Sequence, residues 1–552
     1  MKLANIFFMG CSLFIMNCHA FEYKDVYLPE GTDSIVARQL NLNRVEHDWA
    51  IWGHNLYRVL GDDIPENTFA LIGGERNDEQ LCFSSQYLYN SICHYIDDNF
   101  SRRDSSRFVI MPYDNSLSCQ CPVCKARGNT SRNATPAVTA LIRRLCKAYP
   151  NHMFFTSYYM STAFLPEKEL PENAGVLISA IDWPMRSVHS GKEDKFKEVI
   201  ESWSGLTKHV YVWDYINNFD DYATPFPCFN AMTDRMRYYQ KVGVDGVFLN
   251  GSGTDKSLFS DLKTHVLASL LNNPQTDWKD SAREFLDKNY PKSSIAIYDY
   301  IVDMENAYQD RERAIQIYAG VKTAIREYLD VDRFKRFYDD ISRLSKNTSG
   351  TEKVKLEEML VMLSLTRMEI ARIECTPQLF ATDVTDDWLL SESGWRWKDY
   401  VSDYKSMLDR FGKTDNMKIK LSSTSLLDED YSDLRPLTDG VDALTSNYHC
   451  GWVLFTLGNI DLKVENLSES TWNGQDKQVC IQMLSSERYH FSLPRLVEVY
   501  SGEKLISSAE PKNEFVTLPL GKDVSVDRLR IKVYPDGKKK MALGEVSINK
   551  LQ

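Results

Sequence analysis

Three carboxylates stand at or just beyond the ends of short apolar runs. Asp114 comes after the run RFVIM, Asp182 after GVLISAI and Asp214 after VYVW, each with a tyrosine or tryptophan beside it. A lone aspartate in this position is best explained as a helix cap. Three of them together, with aromatic neighbours, predict a polar cleft. Paired carboxylates in such a cleft would supply the general acid and the base or nucleophile of glycoside hydrolysis.

Four cysteines make up a second group that could do chemistry. Cys119, Cys121 and Cys124 form a compact C-x-C-x-x-C motif soon after Asp114, and Cys82 is the candidate fourth member. Four thiolates would bind a structural zinc ion, whereas in an exported protein disulfides are at least as good an interpretation. In both cases the group would clamp the loop after the Asp114 strand rather than catalyse a reaction. No other cofactor is expected.

The composition argues against several functions. The chain of 552 residues has a formal net charge of -12 and a pI near 5.5. This charge argues against nucleic acid as a partner, because such binding needs a basic surface. The sequence has no G-x-S-x-G nucleophile elbow, so a Ser-His-Asp hydrolase is not indicated.

Residues 1–20 have the features of a signal peptide. Lys2 precedes an apolar run over residues 3–16, which is too short for a transmembrane helix, and cleavage after Ala20 fits the sequence. Cys18 offers an alternative, because it could carry the lipid of a bacterial lipoprotein. No later run is long and apolar enough to span a bilayer. We therefore expect an exported protein that is periplasmic, secreted or an outer-surface lipoprotein.

Strands and helices alternate over residues 21–275 and would position the carboxylates. Short apolar runs indicate parallel strands that are covered on both faces. These runs are residues 107–111, 153–159, 175–181, 210–213 and 246–249. Residues 34–40 and 49–52 are candidates for further strands. The alternation predicts an α/β fold, either a barrel or an open doubly wound sheet. No glycine-rich dinucleotide fingerprint follows the first strand.

Two further regions follow the α/β region. Residues 276–415 show long helical periods with few glycines, which predicts a helical domain. Residues 416–552 contain short alternating strands separated by polar turns, which predicts a β-sandwich. The expected organisation is therefore a signal peptide (1–20), an α/β domain (21–275), a helical domain (276–415) and a β-sandwich (416–552).

The motifs in the first half of the chain resemble a known family. They include WGHNLYRVL with His54, GGERN with Arg76, the QLC that ends at Cys82, WDYINNF, TPFPCFN, GVDGVFLNG and LLNNPQTDW. With the Asp114 loop and its C-x-C-x-x-C motif, they are similar to the family of the domain of unknown function 4838, over about residues 46–300. The resemblance implies an exported bacterial TIM-like (β/α) barrel, similar to α-glucuronidases, with a role connected to carbohydrate.

The C-terminal region resembles a different kind of module. Its LTDG at residues 437–440, LPRLVEVYSGEKLI, RLRIKVYP and GEVSI are similar to discoidin-like (F5/8 type C) galactose-binding sandwiches. Such modules bind sugars through loop aromatics at one end of the sandwich. The resemblance therefore makes Tyr448 and Trp472 candidate contacts for a sugar.

The residues and the resemblance together define a hypothetical site for an oligo- or polysaccharide. Asp114 and Asp214 are the leading catalytic carboxylates, and Asp182 is the third. The side chains expected to position the sugar are His54, Arg76, Tyr158, Trp213, Tyr215 and Asn250. A guanidinium pairs well with a carboxylate, so the arginine would suit an acidic sugar.

Two departures from the family pattern leave two hypotheses. Relatives usually carry an acidic residue at the position of Asn250, and they carry a larger α/β domain before the barrel. The first hypothesis is an exported glycoside-hydrolase-like enzyme that acts on a complex glycan by carboxylate acid/base catalysis. The alternative is a glycan-binding surface protein on a hydrolase scaffold, without turnover. Asn250 favours the alternative, whereas Asp114 and Asp214 oppose it.

Overall fold

The computed structural model describes residues 21–183, 185, 192–309, 315–374, 419–427, 433–440, 442–443, 448–449, 451–466, 474–537 and 540–551. The predicted signal peptide (1–20), with Cys18, and the predicted sugar contact Trp472 lie outside these residues. No helix within these ranges is long and apolar enough to cross a lipid bilayer.

A curled parallel sheet forms the centre of the first half of the chain. The strands are β1 (Tyr23–Tyr27), β2 (Trp49–Ile51), β3 (Phe69–Ile72), β4 (Glu75–Leu81), β5 (Arg107–Val109), β6 (Met153–Tyr158), β7 (Ala174–Ser179), β8 (His209–Tyr215) and β9 (Gly246–Asn250). β3 and β4 form a separate antiparallel hairpin. The other seven strands are parallel, in the order β1-β9-β8-β7-β6-β5-β2. In the described part of the chain β1 and β2 are the two edges, so the sheet there is a half-barrel, without the closure of the TIM-like barrel that the resemblance implies.

The strand predictions are mostly confirmed. All five apolar runs form strands, and residues 49–52 contain β2. The prediction of a strand at residues 34–40 is wrong, because Ser34–Gln39 forms a helix. The Asp33 carboxylate caps this helix by accepting the backbone N–H groups of Ile35 and Val36, at 2.8 and 2.9 Å. The sequence analysis missed β1, whose sequence YKDVY interrupts the apolar pattern with two charged residues.

The two faces of the sheet pack against different partners. In β8, Val210 and Val212 face the flanking helices and belong to the main apolar core. Tyr211 and Trp213 face the concave side, where they join a smaller, mainly aromatic cluster. Both faces are therefore covered, which explains why the strands are continuous apolar runs. Successive side chains of a strand point to opposite faces of the sheet. A residue at the end of β8 therefore points to the concave or the convex face according to whether its position is odd or even.

The segment before β2 fills the opening between the two edge strands. The backbone N–H of Asn43 donates to the carbonyl of Lys24 at 2.7 Å, and the Asn43 side chain accepts the Lys24 N–H at 2.9 Å. Val45 belongs to the concave cluster, in which Tyr23 and Trp49 pack edge to face at 5.6 Å. The two edge strands, β1 and β2, are thus joined through side-chain packing and through the segment before β2, and not by hydrogen bonds between paired strands.

Asp25 makes the stability of this half-barrel depend on pH. Burial raises the pKa of this carboxyl group from 3.8 to about 8, although it accepts a hydrogen bond from Tyr23 Oη at 2.7 Å. The folded state therefore binds the proton more tightly than the unfolded chain, and this contribution to stability is lost as pH rises from about 4 to 8. Glu46 and Asp48 strengthen the shift through their charges.

We expect Asp25→Asn to remove this pH dependence. One pKa unit corresponds to about 1.4 kcal/mol, so the variant should gain stability over the wild type as pH rises from about 5 to 8. Urea unfolding at several pH values measures the effect. Parallel stability curves for the two proteins would contradict the expectation.

Helices cover the convex face of the sheet and continue beyond it. They are α1 (Pro29–Thr32), α2 (Ser34–Gln39), α3 (Val45–Asp48), α4 (Gln86–Asn99), α5 (Pro122–Ala126), α6 (Thr135–Ala148), α7 (Lys192–Ser204), α8 (Phe229–Val242), α9 (Ser260–Asn272), α10 (Trp278–Asn289), α11 (Ser294–Gln309), α12 (Val321–Glu327), α13 (Val331–Lys346) and α14 (Gly350–Glu374). The buried apolar residues of the sheet and of α10 to α14 form one continuous cluster. The core is thus continuous across the predicted boundary at residue 275.

Glu305 of α11 joins the helical region to the half-barrel. Its buried carboxylate accepts the backbone N–H groups of Cys228 and Phe229, both at 2.7 Å, and of Asn230 at 3.0 Å. These groups lie at the start of α8 and have no partner within that helix. A carboxylate there also interacts favourably with the helix dipole. The start of α8 is therefore capped by a residue that lies far away in the sequence.

Two antiparallel sheets form the C-terminal region. Their strands are β10 (Ile419–Ser423), β11 (Leu426–Leu427), β12 (Val453–Leu457), β13 (Ile460–Asn466), β14 (Lys477–Met483), β15 (Leu496–Ser501), β16 (Lys504–Ala509), β17 (Phe515–Leu520), β18 (Leu529–Tyr534) and β19 (Met541–Lys550). One sheet has the order β10-β13-β18-β15-β16 and the other β11-β12-β19-β14-β17. Apolar residues of both sheets share one cluster, as in a sandwich core.

A buried polar contact connects this sandwich to the half-barrel. Asp220, in the loop after β8, accepts a hydrogen bond from His449 Nε2 at 2.8 Å and one from Tyr489 Oη at 3.2 Å. The hydroxyl of Tyr448 also donates to this carboxylate, at 3.4 Å. Tyr448, a predicted sugar contact, is therefore engaged at the boundary between the two regions.

Candidate functional site

The exposed carboxylate of Asp114 lies at the carboxyl end of the parallel sheet. Its side chain is 64% exposed, and Oδ1 accepts a hydrogen bond from Tyr159 Oη at 3.0 Å. His54 Nε2 lies 3.9 Å from the same oxygen. His54 Nδ1 donates to the carbonyl of Pro112 at 2.6 Å, so in the neutral ring Nε2 carries the lone pair. Asp114 thus has a tyrosine hydroxyl donor and an imidazole ring within 4 Å.

The hairpin of β3 and β4 fixes the loop that carries Asp114. The buried side chain of Gln80 accepts the backbone N–H of Tyr113 at 3.1 Å and donates to Asn115 Oδ1 at 2.9 Å. Asn115 in turn donates to the carbonyl of Glu79 at 2.8 Å. Both sequence neighbours of Asp114 are therefore held by one strand, which limits the positions that this carboxylate can take.

A group of aromatic rings lies at the same end of the sheet as Asp114. Trp52 and Trp213 are stacked, with ring centroids 5.0 Å apart and planes 19° apart, and Phe248 packs edge-on against both. The two tryptophans are half-buried. Gly53 follows Trp52 with a φ of +61°, a left-handed conformation that favours glycine and turns the chain toward His54. Ring faces of this kind suit the apolar faces of a sugar.

A cavity of about 370 Å³ opens beyond the ends of β7 and β8. Its lining includes Asp182, which is exposed, together with Tyr215 and Tyr318. The volume lies within the usual range for ligand pockets. Burial, followed by the charge of Asp114, raises the pKa of Tyr159, and Asp182 contributes in the same direction. Tyr159 therefore lies within electrostatic reach of two exposed carboxylates and stays a neutral donor at ordinary pH.

Asp214 and Arg235 also contribute to the lining of this cavity, whereas Asp114 is not among the lining residues. The side chain of Asp214 is fully buried and forms an ion pair with Arg235 of α8, which is 5% exposed. It also accepts hydrogen bonds from Tyr239 Oη at 2.7 Å and from the backbone N–H of Tyr215 at 2.8 Å. Asp214 points toward the helices because it has the same parity as Val212. The structure thus places Asp214 in a buried ion pair and Asp114 in an exposed loop, and the catalytic pairing of the two stays a prediction.

The amino-acid sequence of the half-barrel matches a known family. The model of the domain of unknown function DUF4838 matches residues 18–303, slightly more than half of the chain. The chain belongs to the DUF4838 family. All seven parallel strands and both exposed carboxylates lie in the DUF4838 region, whereas Tyr318 comes from outside it. No curated protein matches the sequence.

Several solved structures are similar to parts or most of the chain. The lectin domain of lectinolysin complexed with Lewis B antigen is 11% identical, and the match covers 25% of this chain and 99% of that one, with a TM-score of 0.21. A fucose-binding module of Streptococcus pneumoniae is 12% identical over 25% of this chain and 100% of its own, with a TM-score of 0.19. A GH138 enzyme targeting pectin rhamnogalacturonan II is 8% identical over 97% and 85%, with a TM-score of 0.29. These TM-scores are too low to support an argument about activity.

The predicted sugar-positioning residues fall into two groups. His54, Trp213, Tyr215 and Asn250 all lie near the carboxyl end of the parallel sheet of the DUF4838 region. The Cα atom of Asn250, the last residue of β9, pairs in register with that of Tyr215. The other two residues, Tyr158 and Arg76, have different partners.

Tyr158 and Arg76 have structural partners instead. Tyr158 faces the helices and packs against Trp203 of α7, with centroids 6.5 Å apart. Arg76 donates to the carbonyl of Phe69 at 2.7 Å, within the β3–β4 hairpin. The preference for an acidic sugar, which rested on Arg76, stays a prediction.

The sequence analysis missed three residues of this site. Tyr159, directly after β6, takes the place expected for Tyr158, because the next residue along the strand points to the opposite face. Trp52 was recognised only as part of a candidate strand. Tyr318 comes from the segment before α12, and no sequence signal connects it to the half-barrel.

Further carboxylates lie near Tyr27, at the edge strand next to β9. The Cα atom of Tyr27 pairs in register with that of Asn250. Burial, followed by the charge of Glu46, raises the pKa of Tyr27 to about 12, and Asp255 contributes in the same direction. Glu46 and Asp255 therefore lie within electrostatic reach of Tyr27, next to Asn250. The sequence analysis did not single out either of these carboxylates.

Four of the cysteines in the DUF4838 region come together away from the cavity lining. Cys82, Cys119, Cys121 and Cys124 are all buried, and their sulfur atoms lie within 4.8 Å of one another. These are the residues of the described chain whose chemistry and placement fit a metal ion.

Proposed function

We propose that this protein is an exported bacterial glycoside hydrolase that cleaves a complex glycan at the carboxyl end of its parallel sheet. The observation that supports this proposal best is the environment of Asp114. This exposed carboxylate is held by Tyr159 and lies near His54, while its loop is fixed by Gln80. A second exposed carboxylate, Asp182, lies beyond Tyr159.

The chemistry would need two carboxyl groups with different tasks. One of Asp114 and Asp182 protonates the leaving glycosidic oxygen, and the other acts as nucleophile or as the base for water. Tyr159 donates a hydrogen bond to Asp114, which would orient the carboxyl group toward the substrate. The ring of His54, whose Nε2 lies 3.9 Å from Asp114 Oδ1, would be a further polar group beside the substrate.

The aromatic groups would bind the sugar rings. The stacked pair of Trp52 and Trp213 offers an apolar platform, and Tyr215 and Tyr318 line the adjacent cavity. Asn250, at the end of β9, would hydrogen-bond a hydroxyl group. The C-terminal sandwich would serve as an accessory carbohydrate-binding module.

A second candidate function is glycan binding without turnover. The burial of Asp214 in its ion pair with Arg235 favours this function, because it engages one of the expected catalytic carboxylates in a structural contact. Asn250 favours it as well, since the end of β9 carries an amide in place of an acid. The aromatic platform would serve binding and catalysis equally.

A glycan panel distinguishes these functions. The mature protein is incubated with polysaccharides and oligosaccharides, and both the release of new reducing ends and the retention of the protein on each glycan are measured. We expect new reducing ends from at least one member of the panel. Retention without release would support the binding protein, and the absence of both would contradict any role with the glycans tested.

A further inference from the structure

The four buried cysteines have the spacing of a tetrahedral metal site. Cys82 Sγ lies 3.7 Å from Cys121 Sγ and 3.7 Å from Cys124 Sγ. Four sulfur ligands at about 2.3 Å from a zinc ion occupy the corners of a tetrahedron whose edges are about 3.8 Å long. The observed separations therefore match two edges of such a tetrahedron. All sulfur–sulfur distances in the group stay below 4.8 Å.

The surroundings of the sulfur atoms suit thiolates. The backbone N–H of Leu71 donates to Cys119 Sγ at 3.3 Å, and the N–H of Cys124 donates to Cys121 Sγ at 3.4 Å. Ser84 Oγ lies 3.2 Å from Cys124 Sγ. Groups of this kind stabilise negative charge on sulfur and orient the ligands of a metal.

A pair of disulfides explains the arrangement less well. A disulfide brings two sulfur atoms to about 2.05 Å, whereas Cys82 is equidistant from two other cysteines at 3.7 Å. Two disulfides would pair Cys82 with only one of these two partners, although both lie at the same distance from it. A central ion uses all four sulfur atoms equally.

We propose that Cys82, Cys119, Cys121 and Cys124 bind one zinc ion in a closed tetrathiolate site. Four protein ligands leave no open position for substrate, so the ion is structural and does not catalyse a reaction. The site joins the end of β4, through Cys82, to the loop that follows Asp114. Two other contacts join the same segments: those of the Gln80 side chain, and the hydrogen bond from the backbone N–H of Gln120 to the carbonyl of Leu71, at 2.8 Å. The zinc thus fastens the Asp114 loop to the β3–β4 hairpin.

Metal analysis tests the proposal without reference to any activity. The mature protein, purified without chelator, is analysed by mass spectrometry for zinc and iron. We expect about one zinc ion per chain. Cys82→Ser and Cys121→Ser should lower the zinc content by about tenfold or more. The matched control Cys93→Ser should retain it, since Cys93 lies outside the group.

Thiol titration and chelation cover the case in which the variants do not fold. Under denaturing conditions with chelator and no reductant, all four thiols should react, and a chelator should lower the melting temperature of the wild type. Wild-type protein without zinc, iron in place of zinc, or thiols that react only after reduction would each overturn the proposal. Because the readout is metal content, these results are independent of whether the protein hydrolyses a glycan.

Discussion

Replacing Arg235 by methionine is expected to lower the free energy of unfolding by about 3–5 kcal/mol, because it leaves the fully buried carboxylate of Asp214 without its counter-charge. Chemical denaturation monitored by tryptophan fluorescence measures the effect. Tyr239 and the backbone N–H of Tyr215 would still donate to Asp214, but neither neutralises its charge.

Two further variants separate this effect from a general loss of a long side chain. The double variant Asp214→Leu/Arg235→Met should recover much of the lost stability, since replacing both members of a buried ion pair by apolar residues is often tolerated. The surface pair of Lys208 and Glu172, with side chains 72% and 86% exposed, provides the control. Lys208→Met should leave stability unchanged. An equally small effect of Arg235→Met would show that Asp214 is not a buried charge.

Asp114→Asn is expected to reduce glycan hydrolysis by about 10²–10⁴-fold while glycan binding is retained, because the amide keeps the shape of the side chain but cannot transfer a proton. Initial rates of reducing-end release and binding isotherms on the same substrate measure the two effects. Undiminished turnover in this variant would remove Asp114 from the mechanism.

Two adjacent tyrosines provide a matched comparison for the Asp114 environment. Tyr159→Phe removes the hydrogen bond to Asp114 and should lower the rate of hydrolysis, since the carboxyl group loses the donor that orients it. Tyr158→Phe changes a neighbouring ring on the opposite face, against Trp203, and should leave the rate unchanged. The same response of both variants would contradict the assignment of Tyr159 to the site.

The sequence predicted the elements well because parallel strands covered on both faces are continuous apolar runs. The same property hid the direction of the side chains at their ends. A run such as VYVW does not show which face is concave, so Asp214 and Tyr158 were assigned to the cleft. Alternate residues of a strand point to opposite faces, and the structure shows which face is concave. Asp214 points toward the helices, as Val212 does, and Tyr159 points toward the concave side, as Ser157 does.

Long-range partners were beyond the reach of the sequence. Arg235 lies on the helix that follows β8, and nothing in its local pattern marks it as the partner of Asp214. Tyr318 reaches the cavity from the segment before α12, after a stretch in which only helical periods were visible. The cysteine group was found because its three later members lie close together, although their spacing could not distinguish a metal site from disulfides.

The carboxylate of Glu305 has a consequence for how this family is delimited. The family match ends at residue 303, and Glu305, which receives the first N–H groups of α8, lies two positions further on. A fragment that ends at residue 303 would retain α8, which carries Arg235, but would lose Glu305, which caps the first turn of that helix. The region that the family model matches therefore ends before the residue that caps α8, and the helical region supplies that cap to the half-barrel.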